Sequence, residues 1–131
     1  QMKGLFSPVF YTREADGALT RGVQGLSLSD GPLLLVGNHQ LYGFDGPMIL
    51  EELLRERGRA VRPLVFPPLL AETSPLAPLP YPLPGTRETF ARFGATPISA
   101  RAMYKGLDAG EALLLFPGGA REVFKRKGEA Y

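Results

Sequence analysis

The sequence predicts an α/β domain with a central, mainly parallel sheet flanked by helices and preceded by an N-terminal β-hairpin. Three observations carry that expectation. Two short runs, "LLLVG" at 33–37 and "LLLF" at 113–116, are wholly apolar, the pattern of strands buried on both faces. Helix-like segments separate the strand-like ones. Near the start, two short strand-like runs flank "ADGA", and Asp16-Gly17 is suited to a tight hairpin turn.

Residues 8–25 form the expected hairpin, and "LSDGP" at 28–32 is a turn leading into the strand at 33–37. "DGPMILEELLRERGR" follows. Asp45 suits a helix N-cap, Pro47 suits the first turn, and Gly58 suits the stop. Met48, Leu50, Leu53 and Leu54 form the apolar face, with Glu51, Glu52, Arg55 and Arg57 turned outward. "AVRPLVF" at 60–66 is the next strand, giving a strand–helix–strand unit. "TRETFARFG" at 86–94 reads as a short helix capped by Thr86 and stopped by Gly94. "ATPIS" is a short strand and "ARAMYKGLDAG" another short helix. "EALLLFP" at 111–117 is the second buried strand. After it come Gly118-Gly119 and a helix from about Glu122.

Residues 63–84 stand apart. Eight of the thirteen prolines lie there, with six leucines and one charge, Glu72. Proline opposes a long helix or a central strand, so an extended apolar loop is expected. Such a loop folds across its own core or forms a lid touching lipid.

The 131 residues are expected to form one domain or part of one, and 44% hydrophobic with 21% charged residues is an ordinary globular composition. The chain opens on Gln1 and stops inside the charged run "KRKGEAY", so a partial domain, incomplete at its C-terminus, is expected. Fifteen basic and thirteen acidic residues leave a net charge of +2, too little to argue for a nucleic-acid partner. Arg121, Lys125, Arg126 and Lys127 bunch near the end as an anion-facing patch or a solvated helix face. With no cysteine, disulfides, cysteine-based zinc sites and a cysteine nucleophile are excluded. With one histidine, a multi-histidine metal site is excluded too. No run of about eighteen apolar residues escapes charge or proline, so no transmembrane helix is visible.

Chemistry concentrates in two places. In "GNHQLYGFD" a buried strand ends, the chain turns and a helix begins. His39 and Asp45 would then lie where α/β proteins bind ligands, and a nearby carboxylate orients an imidazole as a base. The same spacing fits a histidine hydrogen-bonded in a turn and an aspartate that is only a cap. In "LLLFPGGARE" a second strand ends at Gly118-Gly119, whose backbone can approach a ligand closely. Arg121 follows, able to grip phosphate or carboxylate in a bidentate fork. No P-loop pattern and no G-x-S-x-G are present. A base at one strand end and an anion holder at the other suit acyl transfer.

The combination of "GNHQLYGFD", "GATPIS" and "FPGGARE" resembles the glycerolipid acyltransferase superfamily. Within it, the chain looks like the acyltransferase domain of the phytyl ester synthase/diacylglycerol acyltransferase branch of plants and algae. The resemblance spans nearly the whole chain and is most specific in "LLLFPGGAREVFKRKGE". It implies that His39 is the catalytic base and Asp45 its partner carboxylate. It gives Phe116, Pro117, Gly118, Gly119, Ala120, Arg121 and Glu122 to substrate binding, and places Gly94, Ala95, Pro97 and Ser99 in the acceptor block. The widespread family pattern is H-x-x-x-x-D; here Phe44 fills the usual slot and the extra residue is expected to be absorbed in the turn. The family's fourth block would lie past Tyr131.

The implied reaction is transfer of a fatty acyl group to the hydroxyl of phytol or diacylglycerol. The donor would be acyl-CoA, acyl-ACP or a galactolipid, with no cofactor and no metal. Further implied are peripheral contact with a membrane or lipid globule, a chloroplast setting at plastoglobules or thylakoids, and an α/β-hydrolase-like region in the same full-length chain. Two other readings stand beside it. One is a lysophospholipid acyltransferase making phosphatidic acid, against which Gly118 argues, since many relatives carry glutamate there. The other is a non-catalytic lipid-surface fragment, with loop 63–84 and the basic end supplying the contact.

Overall fold

The computed structural model describes residues 10–26, 28, 30–39, 44–72 and 82–119. The elements in chain order are β1 (Tyr11–Arg13), β2 (Leu19–Arg21), β3 (Leu33–Val36), α1 (Asp45–Arg57) and β4 (Arg62–Val65). A 3₁₀ turn at Pro67–Leu70, α2 (Thr86–Arg92), β5 (Thr96–Pro97), α3 (Ala100–Asp108) and β6 (Ala112–Leu115) complete them.

β1 and β2 pair antiparallel, with Tyr11 opposite Arg21. The turn between them forms as the sequence expects. The Asp16 carboxylate accepts from the Ala18 N–H at 2.9 Å, an Asx turn, and Gly17 follows with φ 89°.

The other four strands form one sheet in the order β3-β6-β4-β5, and every pairing in it is parallel. The α/β expectation therefore holds. Sequence neighbours are not all sheet neighbours: β6, last of the described strands, slots between β3 and β4. Ala112, Leu113 and Leu114 of this central strand are fully buried. β3 differs from expectation. Its residues Leu33–Leu35 are half-buried and Val36 is exposed, because among the described residues β6 alone pairs with it.

Side chains alternate along β6, and each face receives its own helix. Ala112 and Leu114 cluster with Leu50 and Leu53 of α1, with Val23 and Val61 completing that core. Leu113 meets α3 instead, where a Cβ added to Gly106 would lie 3.0 Å from both Leu113 Cδ2 and Glu111 Oε2. Burying a leucine such as Leu50, Leu53 or Leu113 stabilises the fold by about 1.5–3 kcal/mol each.

α1 starts at Asp45, with Phe44 at the N-cap position and no side-chain cap hydrogen bond there. Asp45 is thus the first helical residue rather than the cap. The helix ends as expected at Gly58, whose φ of 62° is a left-handed stop, with its N–H donating to the Leu54 carbonyl at 3.0 Å. The outward face expected of α1 needs correction. Glu52 is buried and Leu54 is exposed. Met48 and Glu52, four residues apart, form a second buried stripe, and Arg55 Nη2 donates to Glu52 Oε2 at 2.8 Å. That hydrogen bond is the chief reason the Arg55 guanidinium is held above its ordinary pKa.

One further cap and one strand differ from expectation. Gly85, not Thr86, occupies the N-cap of α2; its carbonyl accepts from Thr89 Oγ1 at 2.7 Å. Ser99 caps α3, accepting from the Ala102 N–H at 3.1 Å. Pro63 sits inside β4, which has neighbours on both sides, although proline was expected to oppose a central strand. The reason is local. Pro63 aligns with Leu114 of β6, while pairing with β5 begins only at Leu64. Segment 63–84 therefore opens as strand and 3₁₀ turn, and residues 73–81 lie outside the described residues.

Candidate active site

Two parallel strands, β3 and β6, carry the first and third motifs to the carboxyl end of the sheet. β3 ends at Val36, and Gly37 continues the ladder by donating its N–H to the Leu115 carbonyl of β6 at 3.1 Å. His39 follows two residues later. β6 ends at Leu115, and Phe116 leads into the turn Pro117–Gly119. α1 begins beside them with Asp45 and Gly46 in its first turn.

These pieces converge on the imidazole. His39 Nδ1 lies 2.9 Å from Asp45 Oδ1. The pair is sheltered but not sealed, with side-chain exposures of 21% for His39 and 12% for Asp45. The residue in excess of the family spacing is taken up before the helix: Phe44 fills the N-cap position, and the carboxylate emerges one residue later, within reach of the ring. The Phe116 ring stacks on His39, with centroids 3.9 Å apart and planes 6° from parallel. Sequence reasoning missed that contact. Its signal was the pairing of β3 with β6, which sets Gly37 beside Phe116 and which no local pattern discloses.

At the second strand end, the Gly119 N–H donates to the Phe116 carbonyl at 3.1 Å, and Gly119 has φ 50°. The turn thus uses one of the two glycine N–H groups itself. Ala120, Arg121 and Glu122 lie outside the described residues, as do the basic positions Lys125–Lys127 and the helix expected from Glu122. Of the residues placed in the acceptor block, Ser99 lines a groove of about 300 Å³ together with Thr96, Arg62, Arg101 and Lys105; His39 is not part of its wall. Among the described residues, no group of three or more His, Cys, Asp or Glu side chains is placed to hold a metal ion. No helix among them is long and apolar enough to cross a membrane.

No family model matches the chain, and no solved structure matches it. Two curated proteins of Arabidopsis thaliana do. Phytyl ester synthase 1, chloroplastic, is 34% identical over 131 residues, covering 99% of this chain and 18% of the relative. Phytyl ester synthase 2, chloroplastic, is 37% identical over 128 residues, covering 95% of this chain and 17% of the relative. The chain thus spans less than a fifth of the length of the curated relatives it matches. Over that span, and over nearly the whole of its own length, it is similar to the phytyl ester synthases.

Proposed function

We propose that this chain is the acyltransferase region of a chloroplast enzyme that esterifies a lipid alcohol, phytol or diacylglycerol. The observation that carries the reading is the His39–Asp45 pair, at 2.9 Å, in a chain similar to proteins named phytyl ester synthases. With Nδ1–H donated to Asp45, the opposite nitrogen, Nε2, takes the proton from the substrate hydroxyl. The alcohol oxygen attacks the acyl carbonyl of an acyl-CoA, acyl-ACP or galactolipid donor. The Gly118 N–H faces the oxygen that becomes negative, and Arg121 holds the anionic or polar part of the donor. When the intermediate collapses, the leaving thiol or alcohol recovers the proton from the imidazolium, and the ester departs.

The polarity of the sheet supports a lipid surface as the place of reaction. Val36, Phe66 and Ile98, at the carboxyl ends of β3, β4 and β5, are 60%, 55% and 40% exposed. No Asp, Glu, Lys or Arg occurs in residues 33–44, 63–71, 94–100 or 112–120, which contain those strand ends and His39. Apolar, exposed strand ends beside a base suit substrates that live in a hydrocarbon phase.

The test is His39→Ala, assayed for ester formation from phytol or diacylglycerol with each donor. A positioned general base contributes about 10²–10⁴-fold, so turnover should fall by that factor while the circular dichroism spectrum and melting temperature stay at wild-type values. Wild-type turnover in a folded His39→Ala protein would remove His39 as the base.

A further inference from the structure

The resemblance implies a substrate-binding role for Phe116, but the geometry points to another. We propose that Phe116 is a positioning residue for His39, fixing the plane of the imidazole so that the nitrogen opposite Asp45 stays aimed at the substrate hydroxyl. The inference rests on the reading of His39 as the base.

The Asp45 hydrogen bond does not by itself set the plane of the ring. The contact of Nδ1 with Asp45 sets the position of one ring atom, while the last side-chain torsion of histidine is intrinsically broad. The stacked Phe116 ring, nearly parallel to the imidazole, acts on the plane directly. At a centroid separation of 3.9 Å and an angle of 6°, the two rings are in face-to-face contact, with no room for a substrate between them. Phe116 therefore closes one face of the imidazole, and substrate must arrive at its edge or its other face.

Phe116 is itself held from both sides. Gly37 of the β3 end and Gly46 of α1 flank its ring edges. A Cβ on Gly37 would lie 3.3 Å from Phe116 Cε1, tighter than ordinary contact. A Cβ on Gly46 would lie 3.7 Å from Phe116 Cε2 and 3.9 Å from His39 Cε1, an ordinary contact. The ring is thus wedged between the first turn of α1 and the end of β3, the same two pieces of chain that carry Asp45 and His39. The hydrogen bond from the Gly37 N–H to the Leu115 carbonyl at 3.1 Å ties the wedge to the sheet ladder. A group placed this way controls orientation, and orientation errors near 1 Å cost a reaction on the order of 10²-fold.

The experiment compares Phe116→Leu, Phe116→Tyr, Gly37→Ala and His39→Ala by steady-state kinetics and by NMR of the imidazole C–H signals. His39 is the only histidine of the chain, so those signals are unambiguous. Phe116→Leu should lower kcat about tenfold or more, leave KM within about threefold, and abolish the ring-current shift of the His39 protons. Phe116→Tyr should restore both. Gly37→Ala, which crowds the ring without removing it, should lower kcat and move the same signals; it carries the test if Phe116→Leu does not fold. A raised KM with unchanged kcat would make Phe116 a substrate contact and overturn the inference. So would wild-type kinetics in Phe116→Leu when His39→Ala is inactive. Wild-type turnover in His39→Ala would instead overturn the base assignment, and the positioning role with it.

Discussion

The two edges of the parallel sheet differ in what holds them and in what they leave open. At the carboxyl edge, β3, β6 and the first turn of α1 bring together His39, Asp45 and Phe116, and the described strand ends beside them, Val36–Gly37 and Leu115–Gly119, carry no charged side chain. At the amino edge, charges and tight packing dominate. Arg62 Nη2 and Glu111 Oε1 lie 2.9 Å apart, each partly exposed. Arg59 donates to the carbonyls of Asp30 and Gly31 at 3.2 and 2.8 Å. Gly106 lets α3 press onto β6. The contrast teaches that the parallel arrangement sorts roles along the strand axis. Groups that ionise in pairs secure one edge; at the other, the described strand ends are apolar around the His39–Asp45 pair.

The strongest way to break this division is at the carboxyl edge. Asp45→Asn keeps the shape of the side chain but loses the charge that stabilises the imidazolium. Turnover should fall about 10²–10⁴-fold, by no more than in His39→Ala, because the carboxylate acts only through the ring. Steady-state kinetics on both variants checks the order. A loss in Asp45→Asn larger than in His39→Ala would mean that Asp45 touches substrate itself.

At the amino edge, Gly106→Ala should leave turnover of the folded protein unchanged. It should destabilise the fold by about 1–3 kcal/mol, since its Cβ meets Leu113 and Glu111 at 3.0 Å. Urea denaturation measures that loss, and a reduced kcat with wild-type stability would contradict the division. The smallest effect concerns the surface. Phe66→Ser combined with Ile98→Ser should reduce flotation with neutral phosphatidylcholine vesicles by several-fold, following the area of apolar surface removed. Arg62→Gln should not change it. Flotation that is unaffected by the serine pair but released by salt would assign the lipid contact to basic residues instead.

Legibility in the sequence followed the same line. Local patterns sufficed for the hairpin at Asp16-Gly17, for the span of α1 and its stop at Gly58, and for both strand ends that carry motifs. What local pattern could not carry was adjacency. "LLLVG" and "LLLF" look alike in composition, yet one is a half-exposed strand with a single described neighbour and the other is the buried centre of the sheet. That difference depends on β6 inserting between β3 and β4, a fact about the whole chain. Glu52 reads as solvent-facing because its burial requires a second stripe on α1 with Arg55 in attendance. Phe116 reads as the end of a buried strand and, by the resemblance, as a substrate contact; its partner, His39, is brought to it only by the pairing of β3 with β6. The approach of Asp45 to His39 was legible as a possibility and settled by the helix beginning at residue 45.

The pairing of β3 with β6 has a consequence for how the molecule comes into being. The two strands are far apart in sequence, with α1, β4, α2, β5 and α3 between them. Such a contact closes the longest loop in the sheet, and long-range parallel pairing is entropically slow to form. Until it closes, His39 has no Phe116 beside it and Gly37 has no Leu115 carbonyl to bond. During refolding, the ring-current signal of His39 should therefore emerge with the last and slowest phase, making the histidine a built-in clock for completion of the sheet.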